Sequence, residues 1–179
     1  ETQDEDGDPA TSEGIFVFCD GACNVNVGLG NIVTVTGTAS ERFDQTALLN
    51  PTVVIDDSNN NLSLTTRATV SFPPTSVGDL ERYEGMAVVV STPMRIVEYF
   101  NYDRFGEMRV WNDGSGADRP FQFTQLNAPS TSGFATADAA FEAASLMLDD
   151  GIASQYQGKP FPQGAFGDAS FNAANSFRG

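Results

Sequence analysis

The stretch that decides the fold is "NIVTVTGT", residues 31–38, in which Val33 and Val35 alternate with Thr34 and Thr36. A period of two residues is typical of a β-strand with one face in the core. Similar short hydrophobic runs flank it at residues 15–18, 46–49, 52–56 and 68–72. Clusters of Asn, Asp, Gly and Pro separate these runs, as expected for strands joined by turns. The first part of the chain is therefore predicted to be β structure.

The second part of the chain repeats this pattern and then changes period. Strands are predicted within residues 85–91, 94–100, 107–111 and 120–125. In "GFATADAAFEAASLMLDDG" the apolar side chains recur at helical spacing, and they are Phe134, Ala137, Phe141, Ala144 and Leu148. Thr136 and Asp138 suit the start of a helix, and Gly151 suits its end. We therefore predict one amphipathic helix near 134–148.

Several short strands with one helix indicate a mostly β fold of the α+β class. Because strands of this length protect their edges by closure, we expect an OB-like partial β-barrel plus a second small β segment. A Pro-rich connection at residues 72–79 is the expected hinge. The predicted domains are an OB-like β domain at 1–72, and a second β segment at 73–179 that carries the helix and an irregular C-terminal arm.

The charge of the chain limits its functions. It has 24 Asp and Glu against nine Lys and Arg, a formal net charge of −15, and no histidine. A protein that neutralises phosphates needs a basic surface, so we expect weak or no nucleic-acid binding. The lack of histidine excludes Ser-His-Asp and Cys-His nucleophiles, so we do not expect an enzyme. No hydrophobic run approaches the roughly 20 residues that span a bilayer, so no membrane span is expected.

The most distinctive polar stretch is "DEDGDPATSEG", which begins at Asp4. Asp4, Asp6 and Asp8 have the alternate spacing that opens an EF-hand calcium loop, although position 12 of such a loop would be Ile15 rather than Glu. Glu13 can contribute a further carboxylate only in a different geometry. Hard oxygen ligands favour calcium over soft metals. Calcium is thus the one cofactor suggested, and a solvated acidic turn is the alternative interpretation.

Two cysteines, Cys19 and Cys23, lie four residues apart in "FCDGACN". A tight loop closed by a disulfide is the favoured interpretation, because a C-x3-C pair without further Cys or His is a poor zinc site. Together with an acidic surface and a single lysine, Lys159, it indicates an oxidising extracellular compartment. Two free thiols are the alternative.

Aromatic and Arg side chains are concentrated in "EYFNYDRFGEMRVW", residues 98–111. A platform that stacks single-stranded bases would use Tyr99, Tyr102, Arg104, Phe105, Arg109 and Trp111. Such a face would also bring Arg119 next to the other two Arg residues. The alternative is a strand–turn–strand whose aromatic residues fill a core while the Arg residues pair with Glu98, Asp103 or Glu107. The net charge favours this second interpretation.

Six motifs follow one another along the chain: "DEDGDPATSEGIFVF", "IVTVTGTASERF", "LERYEGMAVVV", "VEYFNYDRFGEMRV", "FQFTQLNAP" and "LDDG". Together they resemble the non-catalytic region of large bacterial extracellular nucleases, upstream of the endonuclease/exonuclease/phosphatase-type catalytic domain. The resemblance covers roughly residues 4–179. It implies an OB-like domain with the acidic loop and the "TGT" strand, followed by a second β segment.

The resemblance implies a secreted accessory module that binds substrate or positions the enzyme. The catalytic domain of that family uses two histidines, which this chain does not contain. In the family a further strand precedes the acidic loop and more strands follow "NAANSFRG", so both ends are expected to leave β units incomplete, with the first strand missing. Unpaired strand edges are templates for pairing. The alternative function is therefore a self-assembling extracellular filament or matrix subunit, completed by strand exchange with other copies of itself.

Overall fold

The computed structural model describes residues 6–21, 23–152 and 154–156. Contacts between residues divide the chain into two compact units. Unit 1 comprises the described residues of Glu1–Val70 together with Ser76–Ser91, and unit 2 comprises Ser71–Thr75 with the described residues of Thr92–Gly179. These units differ from the predicted division after residue 72 in two respects: residues 76–91 belong to unit 1, and residues 71–72 belong to unit 2.

Unit 1 is built around a three-stranded sheet in the order β1-β3-β2. The strands are β1 (Phe16–Phe18), β2 (Ile32–Arg42) and β3 (Gln45–Asp57). β3 pairs with β1 in parallel and with β2 antiparallel, so it is the central strand. For this reason its side chains Ala47 and Val53 are buried. The two separate runs predicted within this stretch are thus one long strand.

A two-residue turn joins β2 and β3 into a long hairpin. Arg42 pairs with Gln45, and between them Phe43 and Asp44 have φ angles of 54° and 59°. A left-handed φ at both turn residues is the type I′ geometry, whose twist matches that of the paired strands. The pairing register shifts at Gly37, where β3 contributes extra residues to the ladder.

A second, two-stranded sheet completes unit 1. β4 (Ala68–Val70) and β5 (Val88–Val90) pair in parallel. Parallel strands require a crossover connection, and the chain between these two includes a 3-10 helix at Val77–Tyr83. A further 3-10 helix, Leu62–Leu64, precedes β4. The N–H of Ser91 donates to the carbonyl of Val70 at 2.8 Å, which extends the pairing by one position.

Unit 2 contains an antiparallel sheet in the order β6-β7-β8. Its strands are β6 (Arg95–Glu98), β7 (Met108–Trp111) and β8 (Ser145–Leu148). Between β6 and β7 lies the short helix α1 (Tyr102–Phe105), which ends at Gly106 with a left-handed φ of 79°. Among the described residues of this unit, the buried hydrophobic side chains are Phe72, Tyr102, Met108, Val110, Trp111 and Ala144. Most of them come from the central strand β7 and the helix that leads into it.

The helix predicted near 134–148 exists, but the prediction is wrong at both ends. The observed helix α3 spans Thr131–Ala143. Ser130 caps its N-terminus, because the Ser130 hydroxyl oxygen accepts a hydrogen bond from the N–H of Gly133 at 3.2 Å. Thr136, which was expected at the start, lies inside the helix.

The C-terminal part of that predicted helix is strand β8. It pairs with β7 in a register that runs from Trp111 opposite Ser145 to Met108 opposite Leu148. Over four residues the spacing of apolar side chains does not distinguish a helix from a strand. Hydrogen bonding to the distant strand β7 therefore determines that this segment is a strand. Gly151, which was expected to end the helix, follows β8 with a left-handed φ of 68°.

The strand predicted at residues 120–125 is also wrong. This stretch contains the short helix α2 (Phe123–Leu126). Its first turn is closed by a capping box in which the side chains of Gln122 and Gln125 bond each other's backbone N–H groups. Local hydrogen bonds therefore outweigh the alternating pattern of Phe and Gln.

Strand residues outnumber helical residues, so the fold is α+β with more strand than helix, as expected. The described residues form three small sheets and no closed barrel. The finer description, an OB-like partial barrel, stays a prediction. The irregular arm expected at residues 156–179 lies outside the described part of the chain except for Tyr156, whose N–H donates to the carbonyl of Arg104 at 2.9 Å.

Candidate functional site

The acidic stretch folds as a hydrogen-bonded turn in unit 1. The Asp6 carboxylate accepts hydrogen bonds from the N–H of Asp8 at 2.7 Å and from the Thr11 hydroxyl at 3.2 Å. The Glu13 carboxylate accepts from the N–H of Asp6 at 3.4 Å, and the Asp8 carboxylate accepts from the N–H of Ala10 at 2.9 Å. The bond from the Asp8 N–H, which favours the charged form, lowers the pKa of Asp6 below its ordinary value and outweighs the opposing effect of desolvation.

Three of the four predicted calcium ligands, those that the structure describes, have protein partners. Asp4 lies outside the described residues, and Asp6, Asp8 and Glu13 each accept a hydrogen bond within the turn. Within the part of the chain that the structure describes, no three His, Cys, Asp or Glu side chains are grouped closely enough to hold a metal ion. A carboxylate has further lone pairs beyond those used here. Calcium binding at the turn stays a prediction.

Contacts with the loop before β5 hold the acidic turn in place. The Ser12 hydroxyl donates to the carbonyl of Glu84, and the Glu84 carboxylate accepts from the N–H of Thr46 at 3.2 and 3.3 Å. Gly14 lies so close to Gly85 that a Cβ atom on Gly14 would overlap the backbone of Gly85. Glycine is therefore required at position 14 for the two segments to meet.

A cleft of about 740 Å³ opens beside this contact. The charged side chains that line it are Glu13, Asp79, Glu81, Arg82 and Glu84. Arg82, the single cation among them, is in an ion pair with Asp79 at 3.2 Å. Four carboxylates against one guanidinium give the cleft a negative potential, which repels phosphate groups. The cleft is thus unsuited to nucleic acid.

The predicted stacking face is divided between the core and the surface of unit 2. Tyr102 and Trp111 are only 9% and 4% exposed, so their rings fill the core and cannot stack on bases. Burial, together with the nearby negative charge of Asp150, raises the pKa of the Tyr102 hydroxyl. Phe105 is half-buried, and Tyr99 is exposed. The six residues therefore do not form one exposed surface.

Arg109, a member of the same predicted face, is held by contacts within unit 2. It forms an ion pair with Glu142, and its guanidinium lies 4.9 Å from the centroid of the Phe141 ring. Glu142 belongs to helix α3 and is 33 residues away along the chain. Pairing with a carboxylate is what the second interpretation expected, but this carboxylate could not be identified from sequence proximity.

The exposed remainder of the face follows β6 along the chain. Tyr99 is exposed, and Phe100 is 88% exposed. Arg104 donates to the side chain of Gln155 at 2.9 Å and lies 4.7 Å from the centroid of the Phe105 ring. Tyr99, Phe100 and Arg104 are the surface that remains for stacking. We call these three residues the aromatic patch.

Arg119, which was expected to join the other two Arg residues, contacts a different ring. Its guanidinium lies 5.5 Å from the centroid of the Phe121 ring. Each of the three Arg residues is thus placed against its own aromatic neighbour. This distribution gives little support to a continuous basic surface for phosphates.

The cysteine pair is confirmed, because Cys19 and Cys23 are joined as a disulfide with Cα atoms 4.9 Å apart. This separation lies in the usual range for disulfides. Immediately after the disulfide, the side-chain amide of Asn24 pairs with the backbone of Val53. It donates to the Val53 carbonyl and accepts from the Val53 N–H, both at 2.9 Å. One amide thus takes the place of a neighbouring strand at this position of β3.

The outer edge of β2 is a feature that the sequence did not identify. β2 is the last strand in its sheet, so over its 11 residues no described strand pairs with its outer side. Its residues from Thr36 to Glu41 are exposed on both faces of the sheet. The only sequence signal is the loss of apolar alternation after Val35, where small polar residues take over. Open edges were expected at the chain ends, not here.

Comparisons of the chain with protein-family models, with curated proteins and with solved structures gave no significant match. Among the described residues no helix is both long enough and apolar enough to cross a membrane. The function must therefore be argued from the geometry of the two units.

Proposed function

We propose that this chain is a non-catalytic extracellular structural subunit that associates with other copies of itself by strand pairing. The observation that carries the proposal is the outer edge of β2, which lacks a strand partner in the described part of the chain. Unpaired N–H and C=O groups along a strand are strong hydrogen-bonding groups, and they act as a template for another strand. A non-catalytic role agrees with the absence of histidine from the sequence.

The length and composition of β2 support this proposal. Natural edge strands avoid pairing by being short or by carrying Lys, Pro or inward-pointing charges. β2 is 11 residues long and contains neither Lys nor Pro, and its two charged side chains, Glu41 and Arg42, are confined to its last two positions. The opposite edge of the sheet is the three-residue strand β1, which offers far fewer backbone groups for pairing with another strand. The outer edge of β2 is therefore the site at which we propose that two copies associate.

The charge of the chain opposes association and sets its conditions. Two copies with a net charge of −15 each repel one another. At physiological ionic strength the Debye length is about 8 Å, so most of this repulsion is screened. Calcium bound at the acidic turn would reduce it further. We therefore propose association that strengthens with salt and with calcium.

A second candidate is an OB-like accessory module of a secreted nuclease. The resemblance of the six motifs suggests it, and the aromatic patch is the specific feature that favours it. Stacking on exposed rings contributes about 1–3 kcal/mol for each base. If the chain retains single-stranded DNA at low salt, and Phe100→Ala weakens that retention, this function is supported. No retention at low salt, with calcium present, would contradict it.

Light scattering coupled to size-exclusion chromatography tests the first proposal. The full chain is loaded at several concentrations, first in calcium and then in chelator. We expect a mass above the 19.1 kDa of a single chain that decreases on dilution. A mass of 19.1 kDa at every concentration in both buffers contradicts self-association.

A further inference from the structure

The sequence of β2 is nearly symmetric about Gly37. Residues at equal distances on either side are matched in type: Thr36 with Thr38, Val35 with Ala39, and Thr34 with Ser40. When an antiparallel strand pairs with a copy of itself about a two-fold axis, residues at equal distances from the axis become direct neighbours. An axis at Gly37 thus places hydroxyl side chains opposite each other on one face and small apolar side chains opposite each other on the other.

The two charged side chains of β2 make contacts on the inner side of the strand. The Glu41 carboxylate accepts a hydrogen bond from the Thr46 hydroxyl of β3 at 2.8 Å. The Arg42 guanidinium lies 3.6 Å from the centroid of the Phe18 ring of β1. Both lie at the C-terminal end of β2, so residues 32–40 of the strand carry no charged side chain. The formal charge of β2 is zero, in a chain whose net charge is −15.

The same axis keeps like charges apart. About Gly37, Glu41 of one copy lies opposite Val33 of the other, and Arg42 lies opposite Ile32. Like charges directly opposite each other destabilise strand pairs, and this arrangement has none. A shift of two residues in register would still place hydroxyl side chains opposite each other, but it would leave two of the eleven positions of β2 without a partner. The axis at Gly37 is preferred because it pairs the whole strand.

We infer that two copies pair their β2 strands antiparallel about a two-fold axis at Gly37, which joins two three-stranded sheets into one of six strands. This inference rests on the proposed self-association and specifies its partner, its strand and its register. Eleven paired positions allow on the order of ten backbone hydrogen bonds. A two-fold interface uses the same surface on both copies, so it closes at a dimer, and larger assemblies require a second interface.

The first test places like charges across the axis. In Thr36→Lys/Thr38→Lys, each lysine lies opposite a lysine of the other copy. The control, Ser58→Lys/Ser63→Lys, adds the same charge at exposed positions of unit 1 that lie outside β2 and β3. Both variants reduce the overall negative charge, so general repulsion decreases equally. Sedimentation equilibrium measures the dissociation constant of the dimer. We expect this constant to be at least about tenfold larger for the first variant than for the unmodified chain, and to change by less than about threefold for the control.

The second test measures the register by disulfide formation between copies. Position 36 lies opposite position 38 of the partner, whereas position 39 is on the other face. The native disulfide occupies Cys19 and Cys23, so each variant has one free thiol. We expect a mixture of Thr36→Cys and Thr38→Cys chains to form covalent dimers on mild oxidation, and a mixture of Thr36→Cys and Ala39→Cys chains to form few.

The outcomes separate this inference from the proposed function. Selective 36–38 disulfides together with dissociation of the lysine variant support the two-fold pairing. If the unmodified chain associates but the lysine variant associates equally well, or both mixtures form disulfides equally, the pairing at Gly37 is wrong while self-association stands. If the unmodified chain is a monomer at all concentrations, both proposals are wrong.

Discussion

Asn24→Ala tests how the central strand of unit 1 is completed. The Asn24 amide makes two hydrogen bonds of 2.9 Å with the backbone of Val53. Because Val53 is only 3% exposed, its N–H and C=O have little access to water once the amide is removed. At about 1 kcal/mol for each bond, the free energy of unfolding of unit 1 decreases by about 2 kcal/mol, a change of roughly 30-fold in the unfolding equilibrium.

The assay must report on unit 1, and tryptophan fluorescence does not. The single tryptophan, Trp111, is buried in unit 2. Amide hydrogen exchange of β2 and β3 is the suitable measurement, since exchange through unfolding of the unit accelerates with the loss of stability. Asn26→Ala, an exposed neighbour, is the control, with an expected change below about 0.5 kcal/mol. Equal exchange rates in both variants would refute the role of Asn24.

Other substitutions test the acidic turn and unit 2. Gly14→Ala should destabilise unit 1 more than any exposed Gly→Ala change, because its Cβ would overlap the backbone of Gly85; thermal unfolding followed by circular dichroism measures this. The lowered pKa of Asp6 stabilises the turn above about pH 4, its unfolded value, and this contribution is lost as the pH falls through the folded value. The protection factors of the turn amides, which correct each exchange rate for the intrinsic rate at that pH, should therefore decrease in acid, and Asp6→Asn should remove that decrease. Isothermal titration calorimetry with calcium tests the predicted ligand role of Asp6. A heat of binding that is present in the unmodified chain and lost in Asp6→Asn would support that role. Glu142→Gln should lower the free energy of unfolding of unit 2 by about 1 kcal/mol or less, because the ion pair between Glu142 and Arg109 is partly exposed. Urea unfolding followed by tryptophan fluorescence measures this change, which should be smaller at high salt.

The strands of this protein could be predicted because their signal is local. The alternation around Val33 and Val35 predicted β2, and the apolar runs after it predicted most of the other strands close to their observed positions. The pairing could not be predicted in the same way. The parallel contact between β1 and β3 joins Phe16 to Ala47 across 31 residues, and no short-range spacing indicates it.

The errors occurred where local and distant interactions compete. Ser145–Leu148 has spacing that suits a helix, but β7 offers it a strand partner. Residues 120–125 alternate like a strand, but reciprocal bonds between Gln122 and Gln125 close a helical turn. Tertiary contacts override intrinsic propensity in the first case, and local side-chain bonds override it in the second.

The candidate site was only partly visible in the sequence. The pairing of Cys19 with Cys23 could be predicted, because the spacing allows little else. The aromatic residues could not be sorted by sequence into core and surface, since buried Trp111 and exposed Phe100 each follow a hydrophobic residue and precede an asparagine. The open edge of β2 depends on which strand ends the sheet, and this follows only from the assembled fold.

The most direct test of self-association is amide hydrogen exchange of β2 as a function of protein concentration. We expect the protection of Val33–Glu41 to increase with concentration, because pairing with a second copy occupies the outward N–H groups. Protection in the buried strand β7 should stay constant and serves as the internal reference. Exchange of β2 at one rate across all concentrations, whether fast or slow, would contradict the claim that copies of this chain associate through that edge.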